Sequence, residues 1–215
     1  MNLILIRHAE CTGNTKGDPW AEDSIRIGCL DLPLTKRGVL QARILGQKLS
    51  KLKIDAIYSS DLVRAMDTAK EIAKFHKIPI RYTQELRERN LGEFTGLPMK
   101  EIKKRLRLLP GEPDYKKPKN GESRIEFKQR VEKFFKKIIK KNLKSNKNIV
   151  IVTHSGVIKV LLLFLYKIPF NFENLKQVEN ILNIKLPPAS GIILKITKNK
   201  DKTLKASIIE NFVVD

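Results

Sequence analysis

The stretch that decides the fold is MNLILIRHAE, residues 1–10. Its residues 3–6 are four consecutive aliphatic side chains, a pattern typical of a short strand buried on both faces of a parallel sheet. Arg7 and His8 follow directly, at the strand end where open α/β sheets bind their ligands. A buried cation beside an imidazole is costly unless an anion meets it. The stretch therefore predicts an anion site at which His8 does chemistry, with a histidine satisfied within the core as the alternative.

The same arrangement occurs a second time. Residues 149–152, Ile-Val-Ile-Val, predict another fully buried strand, which ends in Thr153-His154-Ser155-Gly156. A helix is predicted at once, over residues 157–166. Two of the three histidines, His8 and His154, thus stand directly after the two most apolar strands. Two copies of this arrangement are hard to ascribe to core packing, so we interpret the pair as functional.

A third strand end carries an arginine. Residues 56–59 predict a strand, and a helix that begins at Ser60 or Asp61 follows it. Arg64 falls in the first turn of that helix and so repeats the geometry of Arg7. Helix N-termini favour anions, and a guanidinium adds a bidentate donor there. A plain surface charge is the alternative, but beside the first motif we favour a second anion ligand.

Strands and helices alternate along the rest of the chain. Thr35 and the Ser123–Glu126 pair, which predicts a capping box, mark two helix starts. The predicted helices cover residues 35–52, 60–76, 99–109, 123–143 and 157–166, and the further strands cover 80–82, 191–197 and 204–213. Loops are predicted over 11–34, 86–96 and 110–121, with a link at 171–183.

The composition bounds the class of protein. A chain of 215 residues that is 41% hydrophobic fits one soluble globular domain, residues 1–215. We expect no signal peptide and no membrane association, because the longest apolar run, residues 160–166, is far shorter than the ~20 residues that span a bilayer.

Cys11 and Cys29 need not pair, so a reduced, cytoplasmic location is the simpler expectation. Neither cysteine lies in a metal-like cluster, and no zinc site is expected.

The net charge of +20 comes from 43 Lys and Arg against 23 Asp and Glu. It fits nucleic-acid binding, attraction of a small phosphorylated substrate, or a solvated lysine-rich surface. The lysines are spread over several predicted helices, and no nucleic-acid motif accompanies them. We therefore favour the solvated surface, with electrostatic steering as a by-product, and do not expect nucleic acid as a partner.

Six motifs follow one another in a recognisable order. They are Arg7-His8-Ala9-Glu10 with Asn14; Gly28-Cys29-Leu30-Asp31-Leu32-Pro33-Leu34-Thr35 with Gly38 and Gln41-Ala42; Tyr58-Ser59-Ser60-Asp61-Leu62 with Arg64-Ala65; Glu88-Arg89 through Gly96; Gly121-Glu122-Ser123 with Arg130; and Thr153-His154-Ser155-Gly156. Together they resemble the histidine phosphatase superfamily, also called phosphoglycerate-mutase-like. Each motif alone is weak, but jointly they are specific and cover nearly the whole chain. One departure is Ala9, where the family usually has glycine.

The resemblance implies a fold. We expect an α/β protein, a three-layer α/β/α sandwich with a mostly parallel central sheet of the phosphoglycerate-mutase type. Residues 3–6, 56–59 and 149–152 should lie in that sheet, and the last part of the chain should add edge strands. His8 and His154 should lie within about 10 Å of each other, because both must touch one phosphoryl group.

The resemblance also implies roles for the site residues. His8 would be the nucleophile and form a phosphohistidine, with its other ring nitrogen donating to a backbone carbonyl. Arg7, Arg64 and His154 would hold the phosphoryl oxygens. Glu88 would protonate the leaving alkoxide and later deprotonate water. No metal or other cofactor is implied. Further substrate contacts are assigned to Asn14, Gly28 and Ser155.

Three functions remain open at this point. The first is a phosphatase for a small phosphomonoester, and the second is a cofactor-dependent phosphoglycerate mutase. The mutases carry a lysine where this chain has Met99, beside Lys100, and an Arg-Arg pair in a longer insert where this chain has only Arg105 and Arg107. These departures favour the phosphatase. The third function, a nucleic-acid-binding or regulatory protein without turnover, is disfavoured by the intact set of catalytic side chains.

The sequence leaves the natural substrate open. Specificity should reside in residues 16–27, which include Trp20 and Arg26, and in residues 97–120. The oligomeric state is equally open, and a homodimer is compatible with the sequence.

Overall fold

Six strands form one mixed sheet in the computed structural model, which describes residues 1–14, 24–106, 117–168, 180–181, 184–199 and 203–214, without the side chains of Lys103 and Leu106. The strands are β1 (Asn2–Arg7), β2 (Ala56–Ser60), β3 (Ile80–Thr83), β4 (Asn148–Thr153), β5 (Gly191–Lys198) and β6 (Leu204–Phe212). Their order across the sheet is β3-β2-β4-β1-β5-β6. The first four strands pair in parallel, whereas β5 and β6 run antiparallel to their neighbours.

Five α-helices lie within the described residues. They are α1 (Lys36–Leu49), α2 (Val63–Ala73), α3 (Met99–Leu106), α4 (Arg124–Asn142) and α5 (Ser155–Leu165). The hydroxyl of Thr35 accepts from the Gly38 amide at the start of α1, and the predicted capping box of Ser123 and Glu126 is present in full at α4. Helix α2 begins later than predicted because Leu62 is extended, and α5 begins two residues earlier.

The helices cover both faces of the sheet. Alternate side chains of β1 point to opposite faces, as the two-residue period of a strand requires. Leu3 and Leu5 pack with α4 and α5 in one hydrophobic cluster. Ile4 and Ile6 pack with α1 and α2 in a second cluster on the other face. The result is the expected three-layer α/β/α sandwich.

The antiparallel part of the sheet differs in detail from the prediction. We expected the last two strands to lie at an edge, but only β6 does so, because β5 pairs with β1 on one side and β6 on the other. The two strands are consecutive in sequence, and the Asn199 amide donates to the Thr203 carbonyl at 2.9 Å beyond their paired ends. The predicted link at 171–183, the segment around Trp20 and the predicted end of α3 beyond residue 106 lie largely outside the described residues.

The register of β1 and β4 places the two histidines. The strands are parallel, and Arg7 pairs with Thr153 as the last pair of the ladder. His8 and His154 are therefore the next residue on each strand. The His8 amide donates to the Thr153 carbonyl at 2.9 Å and continues the ladder by one bond. The carboxyl ends of two adjacent buried strands thus present both imidazoles at one edge of the sheet.

Among the residues that the structure describes, no helix is both long enough and apolar enough to cross a membrane.

Candidate active site

The two histidine rings lie side by side in the interior. Their centroids are 5.1 Å apart, which confirms the expected proximity, and His8 and His154 are 3% and 1% exposed. His8 Nδ1 lies 2.8 Å from the carbonyl oxygen of Ala9. A carbonyl only accepts hydrogen bonds, so Nδ1 carries the proton and Nε2 keeps a free lone pair. The predicted backbone contact is therefore present, and it leaves Nε2 as the ring nitrogen with a free lone pair.

His154 makes its ring contact through the other nitrogen. Its Nε2 lies 3.0 Å from the hydroxyl of Ser60, and that hydroxyl also accepts from the Leu62 amide at 3.3 Å. When the Ser60 hydroxyl donates to Nε2, the proton of the neutral ring lies on Nδ1. Nδ1 is buried and has no partner among the described residues. In that tautomer His154 offers an N–H donor beside His8.

Ser60 was not predicted as a site residue. It is the last residue of β2, and the sequence indicated it only as a possible helix start and as part of the motif with Arg64. The available signal was its position at the end of a strand adjacent to β4, where a hydroxyl reaches the histidine of the neighbouring strand.

Two buried arginines stand next to the rings. Arg64 is fully buried and donates from both terminal nitrogens, to the carbonyls of Leu30 at 2.6 Å and Gly28 at 2.8 Å. Arg7 donates to the Leu186 carbonyl. These bonds leave each guanidinium held by neutral carbonyls, which fix its orientation without cancelling its charge.

Gly28 has a backbone reason to be glycine. Its φ is +47°, a left-handed conformation, and a Cβ atom there would lie 2.9 Å from the carbonyl oxygen of Arg89. The sequence predicts that Gly28 contacts the substrate. Gly28 lines the cavity, and its carbonyl accepts from Arg64 and so helps to orient that guanidinium.

Burial sets the charges of these groups. It lowers the pKa of His8 well below its usual 6.5, and the nearby Arg64 and Arg7 lower it further. It lowers the pKa of His154 in the same way, with Arg64 the next contribution. Burial also lowers the pKa of Arg7 to about 10, which keeps this side chain charged at neutral pH. The site therefore holds neutral imidazoles beside permanent cations.

Glu88 faces the start of α5. Its Oε1 accepts from the Arg89 amide at 2.9 Å, and its Oε2 accepts from the Gly156 amide at 3.0 Å. A Cβ atom at Gly156 would lie only 2.3 Å from Oε1. The glycine therefore lets the Glu88 carboxyl group approach the N-terminus of α5 closely.

A clamp formed by Arg130 and Glu122 holds the segment that leads to Glu88. The Arg130 guanidinium forms two bonds to the Glu122 carboxylate, at 2.7 and 2.8 Å. It also donates to the carbonyls of Glu85 at 2.8 Å and Arg87 at 3.1 Å. Both clamp residues belong to the motif Gly121-Glu122-Ser123 with Arg130, but sequence spacing does not show which carbonyls a long side chain reaches, so their role could not be predicted.

One cavity of about 610 Å³ unites the predicted residues. All eight of them line it: Arg7, His8, Asn14, Gly28, Arg64, Glu88, His154 and Ser155. Arg26 and Met99, from the two predicted specificity segments, line it as well. Trp20 lies outside the described residues. Within the described ranges, no group of three or more His, Cys, Asp or Glu side chains is arranged to hold a metal ion.

This geometry suits a transferable phosphoryl group. Two imidazole rings line the cavity, and His8 Nε2 carries a free lone pair. Two guanidinium groups beside them supply the positive charge that phosphoryl oxygens need. A carboxyl group stands at a separate point of the same cavity and can exchange a proton with the bridging oxygen or water.

Comparison with known proteins agrees with this geometry. Residues 3–205 match the family model of the histidine phosphatase superfamily (branch 1). The chain therefore belongs to the histidine phosphatase superfamily.

Relatives with two different activities resemble the chain. A probable phosphatase of Schizosaccharomyces pombe is 31% identical over 184 residues, which are 85% of this chain and 82% of that protein. The 2,3-bisphosphoglycerate-dependent phosphoglycerate mutase 2 of Arabidopsis thaliana is 29% identical over 197 residues, 76% of this chain, and the match spans only 57% of the mutase. The solved structure of the mycobacterial glucosyl-3-phosphoglycerate phosphatase aligns with a TM-score of 0.76 at 25% identity, covering 97% of this chain and 96% of that one. The chain thus belongs among enzymes that are phosphatases or mutases.

Proposed function

We propose that this protein is a metal-independent phosphatase that hydrolyses a small phosphomonoester through a phosphohistidine on His8. The observation that supports this most strongly is the neutral His8 ring, oriented by its Nδ1 contact and placed 5.1 Å from His154 in a cavity that two buried arginines line.

The proposed reaction has two steps. In the first, His8 Nε2 attacks phosphorus, the P–N bond forms as the P–O bond to the alcohol breaks, and Glu88 gives its proton to the leaving oxygen. In the second, the Glu88 carboxylate takes a proton from water, which attacks phosphorus as the P–N bond breaks. Inorganic phosphate leaves, and His8 and Glu88 return to their starting states.

The positive groups act throughout both steps. Arg7 and Arg64 are held by backbone carbonyls and face the transferred group without reorganisation, and His154 Nδ1–H adds a directed donor. Preorganised donors of this kind stabilise charge as it spreads over the three equatorial oxygens.

Met99 favours hydrolysis over phosphoryl transfer to a second hydroxyl. It lines the cavity where the mutases carry a lysine. A thioether offers no charge to a second phosphate at this position. The mutase remains the second candidate, supported by the similarity to phosphoglycerate mutases.

Two assays of the purified chain test the proposal. Release of inorganic phosphate from a panel of phosphomonoesters in EDTA should show hydrolysis of at least one alkyl ester. Conversion of 3-phosphoglycerate to 2-phosphoglycerate, with 2,3-bisphosphoglycerate present, should be slow by comparison. Isomerisation faster than hydrolysis would assign the chain to the mutases, and no reaction in either assay would contradict phosphoryl transfer altogether.

The buried histidines predict how stability depends on pH. In the unfolded chain both rings accept a proton near pH 6.5, but in the folded protein burial keeps the pKa of His8 and His154 well below that value. The unfolded state therefore binds more protons as the pH falls below 6.5, and the free energy of unfolding decreases by up to about 1.4 kcal/mol per pH unit for each ring. Urea unfolding between pH 5 and 8 measures this slope. A double variant, His8→Asn with His154→Asn, should show a flatter dependence, and an equal slope would contradict the assignment.

Arg130 is expected to act through Glu88. Replacing Arg130 by Met removes the bonds that hold the segment leading to Glu88, so Glu88 should lose its alignment with the leaving oxygen. We expect kcat for an alkyl phosphate to fall about 10–100-fold, with a much smaller effect on p-nitrophenyl phosphate, whose leaving group scarcely needs a proton. Arg81→Met, which removes an exposed arginine of β3, is the control. Equal losses for both esters would show a general structural role.

A further inference from the structure

The hydroxyl group of Ser60 lies in the interior, at the end of β2 and next to His154. Ser60 is fully buried. Its Oγ lies 3.0 Å from His154 Nε2 and 3.3 Å from the amide nitrogen of Leu62. A hydroxyl group has one proton to donate and two lone pairs that accept, whereas a backbone amide only donates. The Leu62 amide therefore occupies one lone pair and leaves the Ser60 proton available.

Only one tautomer of His154 gives that proton an acceptor. If Nε2 carried the ring proton, Nε2 would donate to Oγ, and the Ser60 proton would have no acceptor among the described residues. A buried donor without a partner is costly. If the hydroxyl group donates to Nε2 instead, both contacts of Ser60 are satisfied, and the ring proton lies on Nδ1.

The tautomer matters because the ring is neutral. Burial lowers the pKa of His154 well below its usual 6.5, and the nearby Arg64 lowers it further. A protonated ring would donate from both nitrogens, but a neutral ring has one N–H group and one lone pair. The contact with Ser60 at one nitrogen therefore determines what the other nitrogen offers.

That other nitrogen is Nδ1. It is buried and has no partner within the part of the chain that the structure describes. His154 lines the cavity, 5.1 Å from His8 between ring centroids, and His8 Nε2 is left free by the Ala9 contact. With a proton on His154 Nδ1, the pair offers one lone pair to phosphorus and one N–H group to a phosphoryl oxygen. With the proton on Nε2, the free nitrogens would offer only lone pairs to oxygens that also only accept.

We propose that Ser60 is a positioning residue, which fixes His154 as the Nδ1–H tautomer and thereby lets this neutral ring donate a hydrogen bond to the transferred phosphoryl group. The catalytic consequence rests on the proposed function, whereas the tautomer is a property of the enzyme without substrate. The inference gives a role in the reaction to a hydroxyl group that is not among the described residues lining the cavity.

The tautomer can be measured directly. Long-range ¹H–¹⁵N correlation spectra of the enzyme labelled with ¹⁵N-histidine, recorded near neutral pH, distinguish a ring nitrogen that carries a proton from one with a free lone pair. We expect His154 to show a protonated Nδ1 and an unprotonated Nε2. His8, whose Nδ1 lies 2.8 Å from the Ala9 carbonyl oxygen, is the internal reference for this pattern. His154→Asn and His76→Ala assign the signals by their loss.

The failures of the two proposals are distinguishable. A protonated Nε2 in the His154 ring near neutral pH would overturn the inference, and hydrolysis of phosphomonoesters by the same enzyme would leave the phosphatase intact. Hydrolysis of no phosphomonoester would overturn the proposed function, even with the expected tautomer in the spectra.

Ser60→Ala removes the hydroxyl group and should release the tautomer. We expect Nε2 of His154 to carry the proton in a measurable share of the molecules, and kcat to fall about 10–100-fold. An alkyl phosphate and p-nitrophenyl phosphate should lose equally, because the donor acts on the phosphoryl group that both esters share. Inorganic phosphate should inhibit the variant about 10-fold less strongly than the wild type.

Ser59→Ala is the matched control. Ser59 precedes Ser60 on β2 and is equally buried, but its hydroxyl donates to the Ser60 carbonyl at 2.8 Å. This variant should keep the wild-type spectrum of His154 and nearly the wild-type kcat. Ser60→Thr keeps a hydroxyl group at the same position and should retain the Nδ1–H tautomer with most of the activity. A Ser60→Ala enzyme with an unchanged His154 spectrum would refute the assignment, whatever its rate.

Discussion

His8→Ala is expected to abolish turnover and phosphoenzyme formation together. The variant lacks Nε2, the atom that the Ala9 contact leaves with a free lone pair, and the rate should fall to below ~0.1% of the wild-type value. Rapid quenching with ³²P-labelled substrate measures the intermediate, because a phosphohistidine is labile to acid and stable to base. The wild-type label should therefore survive alkaline quenching and be lost in acid.

A matched control separates the nucleophile from histidine loss in general. His76→Ala removes the remaining histidine, which lies just beyond the end of α2 and does not line the cavity, and it should retain both turnover and label. Acid-labile label that persists in His8→Ala would move the nucleophile elsewhere, with His154 as the first residue to examine.

Glu88→Gln is expected to slow the hydrolysis of alkyl phosphates by roughly 10²–10⁴-fold. Glutamine keeps the size of the side chain, and its carbonyl can still accept the bond from the Gly156 amide. It cannot deliver a proton to an alkoxide, whereas p-nitrophenolate leaves almost without one. The loss in phosphoryl transfer, followed as the burst of alcohol release, should therefore be far smaller for p-nitrophenyl phosphate.

The second acid of the same loop provides the control. Glu93 accepts from the Lys119 amide at 3.0 Å and is exposed, so Glu93→Gln should leave the hydrolysis of both esters close to wild type. If Glu88→Gln slowed the burst of p-nitrophenolate as much as that of an alkyl alcohol, Glu88 would not be the acid.

The sequence predicted the site well where local pattern and strand position determine it. His8 and His154 follow strands whose continuous apolar runs show that both faces are buried, and parallel strands end at the same edge of a sheet. Arg64 was predicted by the same reasoning, because it lies in the helix that begins just after β2. These predictions needed no knowledge of side-chain contacts, because the backbone alone brings the residues together.

Other parts of the site depend on contacts that spacing does not encode. Ser60 holds the His154 ring through a hydrogen bond between residues 94 positions apart. Arg130 lies on α4 and donates to the carbonyls of residues just before Glu88. Nothing in the sequence distinguishes Lys159, which lines the cavity, from the many other lysines. The position of β5 inside the sheet was also missed, since pairing on both sides of a strand is decided by the neighbours it meets.

The place of β1 in the sheet has a consequence for how the protein is made. Its two neighbours are β4, which pairs with it through Asn148–Thr153, and β5, which pairs with it through Gly191–Lys195. During synthesis, this aliphatic strand therefore precedes both of its neighbours by well over a hundred residues, and neither of its edges can pair before then. Such late, non-local pairing slows folding and leaves an unpaired apolar edge exposed to other chains. The topology that joins His8 to His154 thus also delays the completion of the sheet.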